Sequence, residues 1–320
     1  MEQKILDLLN EIYYPVEVVK VESVTNEMFR CTAKDGEYFA RITNYKNYDE
    51  QLEEVNYTNF LYKEGLGVSP TITSFNNRTV EEITLDHREV LTVLYKAAPG
   101  IHLPRNQWNA DVLKELGRQI GRLHRFSKKF EKLHPIKYIN DWHVNEEYSF
   151  LKYIPKEETA IREIAEEVLT TIKKIPKSHS NYGLLHGDLW LENILVDHDL
   201  NLTMIDFQDC EKHYYIFDLA VPIYSALEYS FVGGGNIADY GRDITKAIID
   251  GYREENDLSP EMLDRLPLFI KLKEVFEYSL MHMYWDKEKL TENQIRIMNH
   301  FRMRIEHNHS ILGGIRSFVK

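Results

Sequence analysis

Two textures of hydrophobic patterning meet near residue 100. Before it, residues 16–24, 28–33 and 37–42, and later 71–74, 79–84 and 89–94, form short runs rich in β-branched and aromatic side chains, which predict strands. Lys34-Asp35-Gly36 separates the second run from the third, and Asp-Gly between two such runs marks a hairpin. Residues 49–64 place Leu52, Val55, Tyr57, Phe60 and Leu61 at helical spacing, and Gly65 and Gly67 stop the pattern. Ala97-Ala98-Pro99-Gly100 then interrupts regular structure.

Beyond that break the pattern is mainly helical. Val112, Leu113, Leu116, Ile120 and Leu123 share one face of a helix predicted over 108–130; a second is expected over 159–175, and helices fill roughly 216–312. Between them lies a short β island at 184–185, 194–196 and 202–205. The expected fold class is α+β, with a small sheet-rich N-lobe (residues 1–96) and a larger, mainly helical C-lobe (residues 97–320).

Composition narrows the function classes. The 320 residues are 43% hydrophobic and 28% charged, with a net charge of −12, so a folded globular protein is expected and no nucleic-acid partner is. The first ten residues lack the charged and apolar regions of a secretory signal, and no apolar run reaches the length of a membrane span. Two cysteines, Cys31 and Cys210, are too few for a disulfide framework. A cytoplasmic protein without a membrane partner follows as the expectation.

Candidate chemistry concentrates in the β island. His186-Gly187-Asp188-Leu189-Trp190-Leu191-Glu192-Asn193 precedes one short strand, and Met204-Ile205-Asp206-Phe207 closes the next. This order puts Asp188 and Asn193 on one tight loop and Asp206 at the end of the neighbouring strand. A hard ion such as Mg²⁺ takes one or two protein oxygens together with phosphates and water. Asn193 and Asp206 can supply them, leaving Asp188 to face a substrate hydroxyl. His186 has no further histidines at zinc-ligand spacing.

The H-G-D-x-x-x-x-N loop followed by I-D-F resembles the aminoglycoside phosphotransferase and choline kinase family, which shares a two-lobed protein kinase-like fold. The resemblance implies transfer of the γ-phosphoryl group of ATP, or GTP, to a hydroxyl of a small molecule, with Mg²⁺. It gives Asp188 the role of catalytic base and Asn193 and Asp206 that of metal ligands. Arg41, in Glu37–Ile42, is similar to the basic residue of the family's third strand that contacts the nucleotide phosphates, and Glu54 fits its acidic partner, with Glu53 as the rival. Leu116–His124 is similar to the L-G-x-x-x-x-x-L-H helix, His124 being a packed histidine, and Phe217-Asp218-Leu219-Ala220 resembles the Y-D-L-A segment whose aspartate supports the catalytic loop.

The nucleotide-covering loop departs from the protein kinase pattern by lacking glycine. Thr25-Asn26-Glu27-Met28-Phe29 echoes the S-N-x-x-F of choline kinase-like relatives, so Thr25 and Asn26 are candidate phosphate contacts. Adenine is expected along 93–98, which includes Val93 and Tyr95. Residues 206–210 and 215–220 look like a subgroup related to homoserine kinase of the phosphotransferase type and to stress-response Ser/Thr kinases. A protein Ser/Thr kinase and a nucleotide-binding scaffold without turnover are therefore the alternatives. The resemblance further implies an amine-bearing acceptor held in the part of the C-lobe beyond Asp209, where Asp209 itself, Glu228, Asp239, Asp243, Tyr284 and Trp285 are candidates. Gly233-Gly234-Gly235 lacks a following Lys-Ser/Thr and reads as a helix connection. His300, His307 and His309 read as surface or packing residues.

Overall fold

The computed structural model describes residues 1–228 and 237–307; the triple glycine and His309 lie outside the described residues. In chain order the elements are α1 (Glu2–Ile12), β1 (Val18–Ser23), β2 (Met28–Ala33), β3 (Gly36–Thr43), α2 (Tyr48–Lys63), β4 (Thr71–Ile72), β5 (Glu81–Leu85), β6 (Arg88–Lys96) and β7 (Ile101–His102). They continue with α3 (Ala110–Leu133), α4 (Phe150–Tyr153), α5 (Thr159–Lys173), β8 (Tyr182–Leu185), β9 (Ile194–Val196), β10 (Leu202–Met204) and β11 (Glu211–Tyr214). The remaining helices are α6 (Ile216–Glu228), α7 (Ile237–Arg253), α8 (Pro260–Leu263), α9 (Leu266–Tyr284) and α10 (Glu292–Glu306). Contacts divide the chain into two compact units. One holds Met1–Leu103, Lys129–Ile139 and Asn193–Gln208; the other holds Pro104–Lys128, Asn140–Glu192 and Asp209–Lys320.

The first unit is built on an antiparallel sheet ordered β1-β2-β3-β6-β4, with β5 pairing the earlier part of β6. Side chains alternate across a strand, and the core follows that rule. Tyr38, Ala40 and Ile42 of β3 and Leu94 of β6 pack with Ile5 and Leu9 of α1. Leu91 and Val93 of β6 belong to a cluster with Val55 of α2. α1 has no counterpart among the expected elements, although Ile5 and Leu9 stand one helical turn apart and are fully buried. α2 starts on a capping box, Asn47 with Glu50, whose mutual hydrogen bonds satisfy the first-turn donors.

The β island comprises two sheets. β9 and β10 pair with each other, and β9 also pairs with β7, whereas β8 pairs with β11. Strands of three and four residues carry too little pattern to disclose which neighbours they join. Gly67 lets β10 approach, because a Cβ there would stand 2.0 Å from the Leu202 carbonyl oxygen.

The second unit is helical apart from β8 and β11. α6 is its centre: residues 216–227 are buried throughout, and α9 is packed against it. Among the described residues no helix is long and apolar enough to cross a membrane. Cys31 of the first unit and Cys210 of the second are buried cysteines.

Candidate active site

Arg41 projects from β3 on the face that α2 covers. It is 3% exposed, forms an ion pair with Glu54 and donates from Nη2 to the Tyr95 hydroxyl at 2.8 Å. Glu54 also accepts from Lys46 at 2.6 Å, and the Lys46 ammonium donates to the main-chain carbonyl of Gln208. Burial works against both Arg41 and Glu54 as charged groups. Tyr95 and Glu54 outweigh it at Arg41, which is held above its usual range, and Arg41 and Lys46 outweigh it at Glu54, which is held below. Glu53 is occupied elsewhere, accepting the backbone N–H groups of Lys137, Tyr138 and Ile139 at 2.6–2.9 Å. The rivalry is resolved geometrically for Glu54, and neither carboxylate merely faces solvent.

Asn193 and Asp206 occur at the same end of the β9–β10 hairpin. The Ile205 N–H donates to the Asn193 carbonyl at 2.9 Å, directly beyond the Ile194–Met204 pair. Asp206 has φ +65°, a conformation that costs a non-glycine residue roughly 1 kcal/mol or more. Its carboxylate acts on the Tyr95 hydroxyl, whose pKa burial and then the charges of Glu54 and Asp206 push up against Arg41. Phe207, the next residue, packs edge-on against Tyr57 of α2 at 6.1 Å between centroids. The segment bearing Asp206 is thus tied to α2 through Phe207 and through Lys46. An amide oxygen and a carboxylate are hard donors, suited to a small divalent ion whose remaining ligands are water and phosphate.

Thr25 and Asn26 are exposed on the β1–β2 turn. The Thr25 hydroxyl accepts the Glu27 and Met28 N–H groups at 3.2 and 3.0 Å, which shapes the turn. Val93 is 1% exposed within the core. Along the expected adenine edge, the Lys96 and Ala97 N–H groups donate to the carbonyls of Pro70 and Glu37, both at 3.0 Å.

In the second unit the loop 186–192 leaves β8 and is pinned from α6. Asp218 accepts the N–H groups of His186 at 2.8 Å and Gly187 at 3.0 Å. It also meets His124 Nε2 at 3.1 Å, while His124 Nδ1 meets the Tyr252 hydroxyl at 3.0 Å. Burial holds the His124 pKa low, so the ring is neutral, donating from Nε2 and accepting at Nδ1. Gly187 has φ +87°, and a Cβ there would lie 2.2 Å from the Asp209 carbonyl oxygen; only glycine permits this crossing. The Asp188 N–H donates to His186 Nδ1 at 3.3 Å.

Asp188 opens on a cavity of about 220 Å³ whose lining includes Glu147, Tyr148, Asp209, Glu211, Lys273 and Glu277. Asp209, an acceptor-site expectation from the sequence, is part of that lining. Trp285 follows α9 and lies outside that lining, as do Asp239 and Asp243 on α7. The Glu228 side chain lies outside the described residues. Tyr284 reaches the wall indirectly by donating to Glu147 at 2.7 Å. Burial raises Glu211 well above the usual carboxylate range, which favours its uncharged form, and the group accepts from the Tyr148 hydroxyl at 2.8 Å.

Sequence inspection passed over Lys46, Glu147, Lys273 and Glu277. Lys273 and Glu277 are one turn apart on α9, and a lysine in an otherwise buried helical row (Leu272, Val275, Phe276) is a detectable signal, since lysine is almost never fully buried without a partner. Lys46 and Glu147, on or beside turns, carried none.

Residues 17–249 match the family described as phosphotransferase enzyme family. Amicoumacin kinase of Bacillus subtilis is 28% identical over 284 residues, spanning 88% of this chain and 84% of that protein. Hydroxylysine kinase of Xenopus laevis is 24% identical over 289 residues, spanning 82% and 74%. A solved structure of the amicoumacin kinase hAmiN, in complex with AMP-PNP, Ca²⁺ and Ami, superposes with a TM-score of 0.87 at 26% identity, covering 98% of this chain and 95% of that one. The chain belongs to the phosphotransferase enzyme family, with the kinase fold and the phosphoryl-transfer chemistry that its loop 186–193 and Asp206 had suggested.

Proposed function

We propose that the protein transfers the γ-phosphoryl group of ATP to a hydroxyl of a small, amine-bearing molecule in the cytoplasm. The observation that carries this is the acidic cavity at Asp188, walled by Glu147, Asp209 and Glu277. The carboxylates of the lining outnumber its one lysine, Lys273, which pairs with Asp188 and Glu277, and this acidic excess suits an ammonium group. The relatives agree in kind: hydroxylysine joins a hydroxyl and amines in one small molecule, and the hAmiN complex holds an ATP analogue.

Residues 1–96 supply the nucleotide clamp and residues 97–320 the catalytic loop and acceptor cavity. Arg41, fixed by Glu54 and Tyr95, and Lys46 present positive charge to the phosphates. Thr25 and Asn26 cover them, and the adenine lies along 93–98. Asn193 and Asp206 would hold Mg²⁺, which when bound neutralises charge on the β- and γ-phosphates. Asp188 accepts the acceptor's hydroxyl proton as its oxygen bonds to the γ-phosphorus. The bond from that phosphorus to the β–γ bridging oxygen breaks, and ADP leaves with the electron pair. Catalysis is mostly positioning and charge stabilisation.

A competition series tests the acceptor class: amino alcohols, hydroxylated amino acids and aminoglycosides against neutral sugars of similar size. Preference for the amine-bearing compounds is expected. Efficient phosphorylation of a neutral sugar, without preference for its amino analogue, would sink the assignment.

A further inference from the structure

Lys273 is 1% exposed in the middle of α9. Its ammonium donates to Asp188 Oδ1 at 3.1 Å and meets Glu277 Oε1 at 2.7 Å. The rings of Trp190 and Phe276 lie beneath it, with centroids 5.1 and 5.0 Å away. An ammonium withdrawn from water needs compensation, and here two carboxylates and two aromatic faces provide it. Glu277 and Asp188 together hold Lys273 protonated against burial.

One carboxylate one turn along the same helix would be enough to offset one ammonium. The second contact goes instead to the loop residue that faces the acceptor cavity. The backbone of that loop is fixed by Asp218 and His186, and the Lys273 contact is made to the Asp188 carboxylate itself. Lys273 reaches it from a different element, a helix packed on the unit's central helix. Trp190 lies on the same ammonium, so the loop's own indole completes the seat.

We infer that Lys273 is a positioning residue for phosphoryl transfer: its ammonium orients the Asp188 carboxylate toward the acceptor hydroxyl. This rests on the assignment of Asp188 as the proton acceptor. The competing role for Lys273 is simple neutralisation of the buried Glu277, and the two roles separate in a pair of variants. Lys273→Met removes the cation and strands Glu277; Lys273→Met/Glu277→Gln removes both charges and leaves Asp188 without its ammonium.

The experiment measures kcat, both KM values, nucleotide affinity and the melting temperature of the full chain, with Asp188→Asn alongside. The expected result is a double variant that folds and binds nucleotide like the parent, with kcat lowered about 100-fold, the cost of a slightly misplaced reacting group, and KM for ATP within about twofold. A folded double variant with kcat within about threefold of the parent overturns the inference. Loss of the folded state in both Lys273 variants assigns the residue to the core and overturns it too. If Asp188→Asn keeps parental turnover, the base assignment itself fails; if it is inactive while the double variant turns over normally, only the role of Lys273 fails.

Discussion

The ammonium of Lys46 donates to the main-chain carbonyl of Gln208, a residue 162 positions further along the chain. The same ammonium holds one oxygen of Glu54, whose other oxygen belongs to Arg41. Glu54 is therefore shared between the strand cation and the segment that carries Asp206, and its neutralisation leaves one surplus positive charge. Lys46→Ala should weaken MgATP binding about tenfold, the loss of one charge-assisted contact, with a smaller effect on acceptor KM. Calorimetric titration of nucleotide checks it, and unchanged affinity would remove Lys46 from the clamp.

Arg41 and Glu54 form a buried pair, so removing one partner costs folding stability as well as binding. Arg41→Ala should lower stability by about 3 kcal/mol, whereas Arg41→Lys retains a charge and loses less. Glu54→Gln should resemble a mild Arg41 defect. Denaturant titration read beside nucleotide affinity separates the two effects. A Glu53→Gln variant that weakens nucleotide binding as Glu54→Gln should would contradict the pairing, because Glu53 caps the backbone of 137–139.

Asp188 and Asp206 should fail differently. Asp188→Ala should abolish transfer while leaving MgATP affinity within about threefold, because the residue faces the acceptor cavity. Asp206→Ala should weaken nucleotide binding only when Mg²⁺ is present, and Asn193→Ala should do so to a smaller degree. Titrations with and without Mg²⁺ decide, and equal parental affinity in both conditions would undo the metal assignment.

Glu211 makes stability depend on pH in a stated direction. Burial favours its uncharged form in the fold, whereas the unfolded chain ionises over the usual carboxylate range, so the folded state binds more protons and stability falls as pH rises through that range. The loss is about 1.4 kcal/mol for each unit by which the folded value exceeds the unfolded one. Glu211→Gln keeps an oxygen for the Tyr148 hydroxyl without the ionisation. It should melt higher than the parent at pH 8 and converge with it near pH 4. Parallel melting curves across that range would show Glu211 to be ionised in the fold.

The sequence discloses those parts of the site that its own local order determines. Asp188, Asn193 and Asp206 stand out because a loop and a hairpin fix their spacing within nineteen positions of chain, and Arg41 because its strand resembles the family's third strand. Lys273 lies 85 positions beyond Asp188, and no local pattern says which loop a helical lysine will meet. The same limit explains the β island: nothing local to β8 says that its partner β11 lies beyond Asp206. At the cavity beside Asp188 the sequence says least: Asp239 and Trp285, expected from charge and aromaticity, lie outside its lining, while Glu147 and Glu277 are brought into it by packing.

Each compact unit carries one buried thiol, Cys31 in the first and Cys210 in the second. Burial raises the Cys31 thiol to about 11, so little thiolate is present at neutral pH while the strand is closed. Alkylation then waits on opening of the surrounding structure. Labelling Cys210→Ala and Cys31→Ala variants over time gives each unit its own clock, and adding nucleotide or acceptor should slow the clock of the unit that binds it.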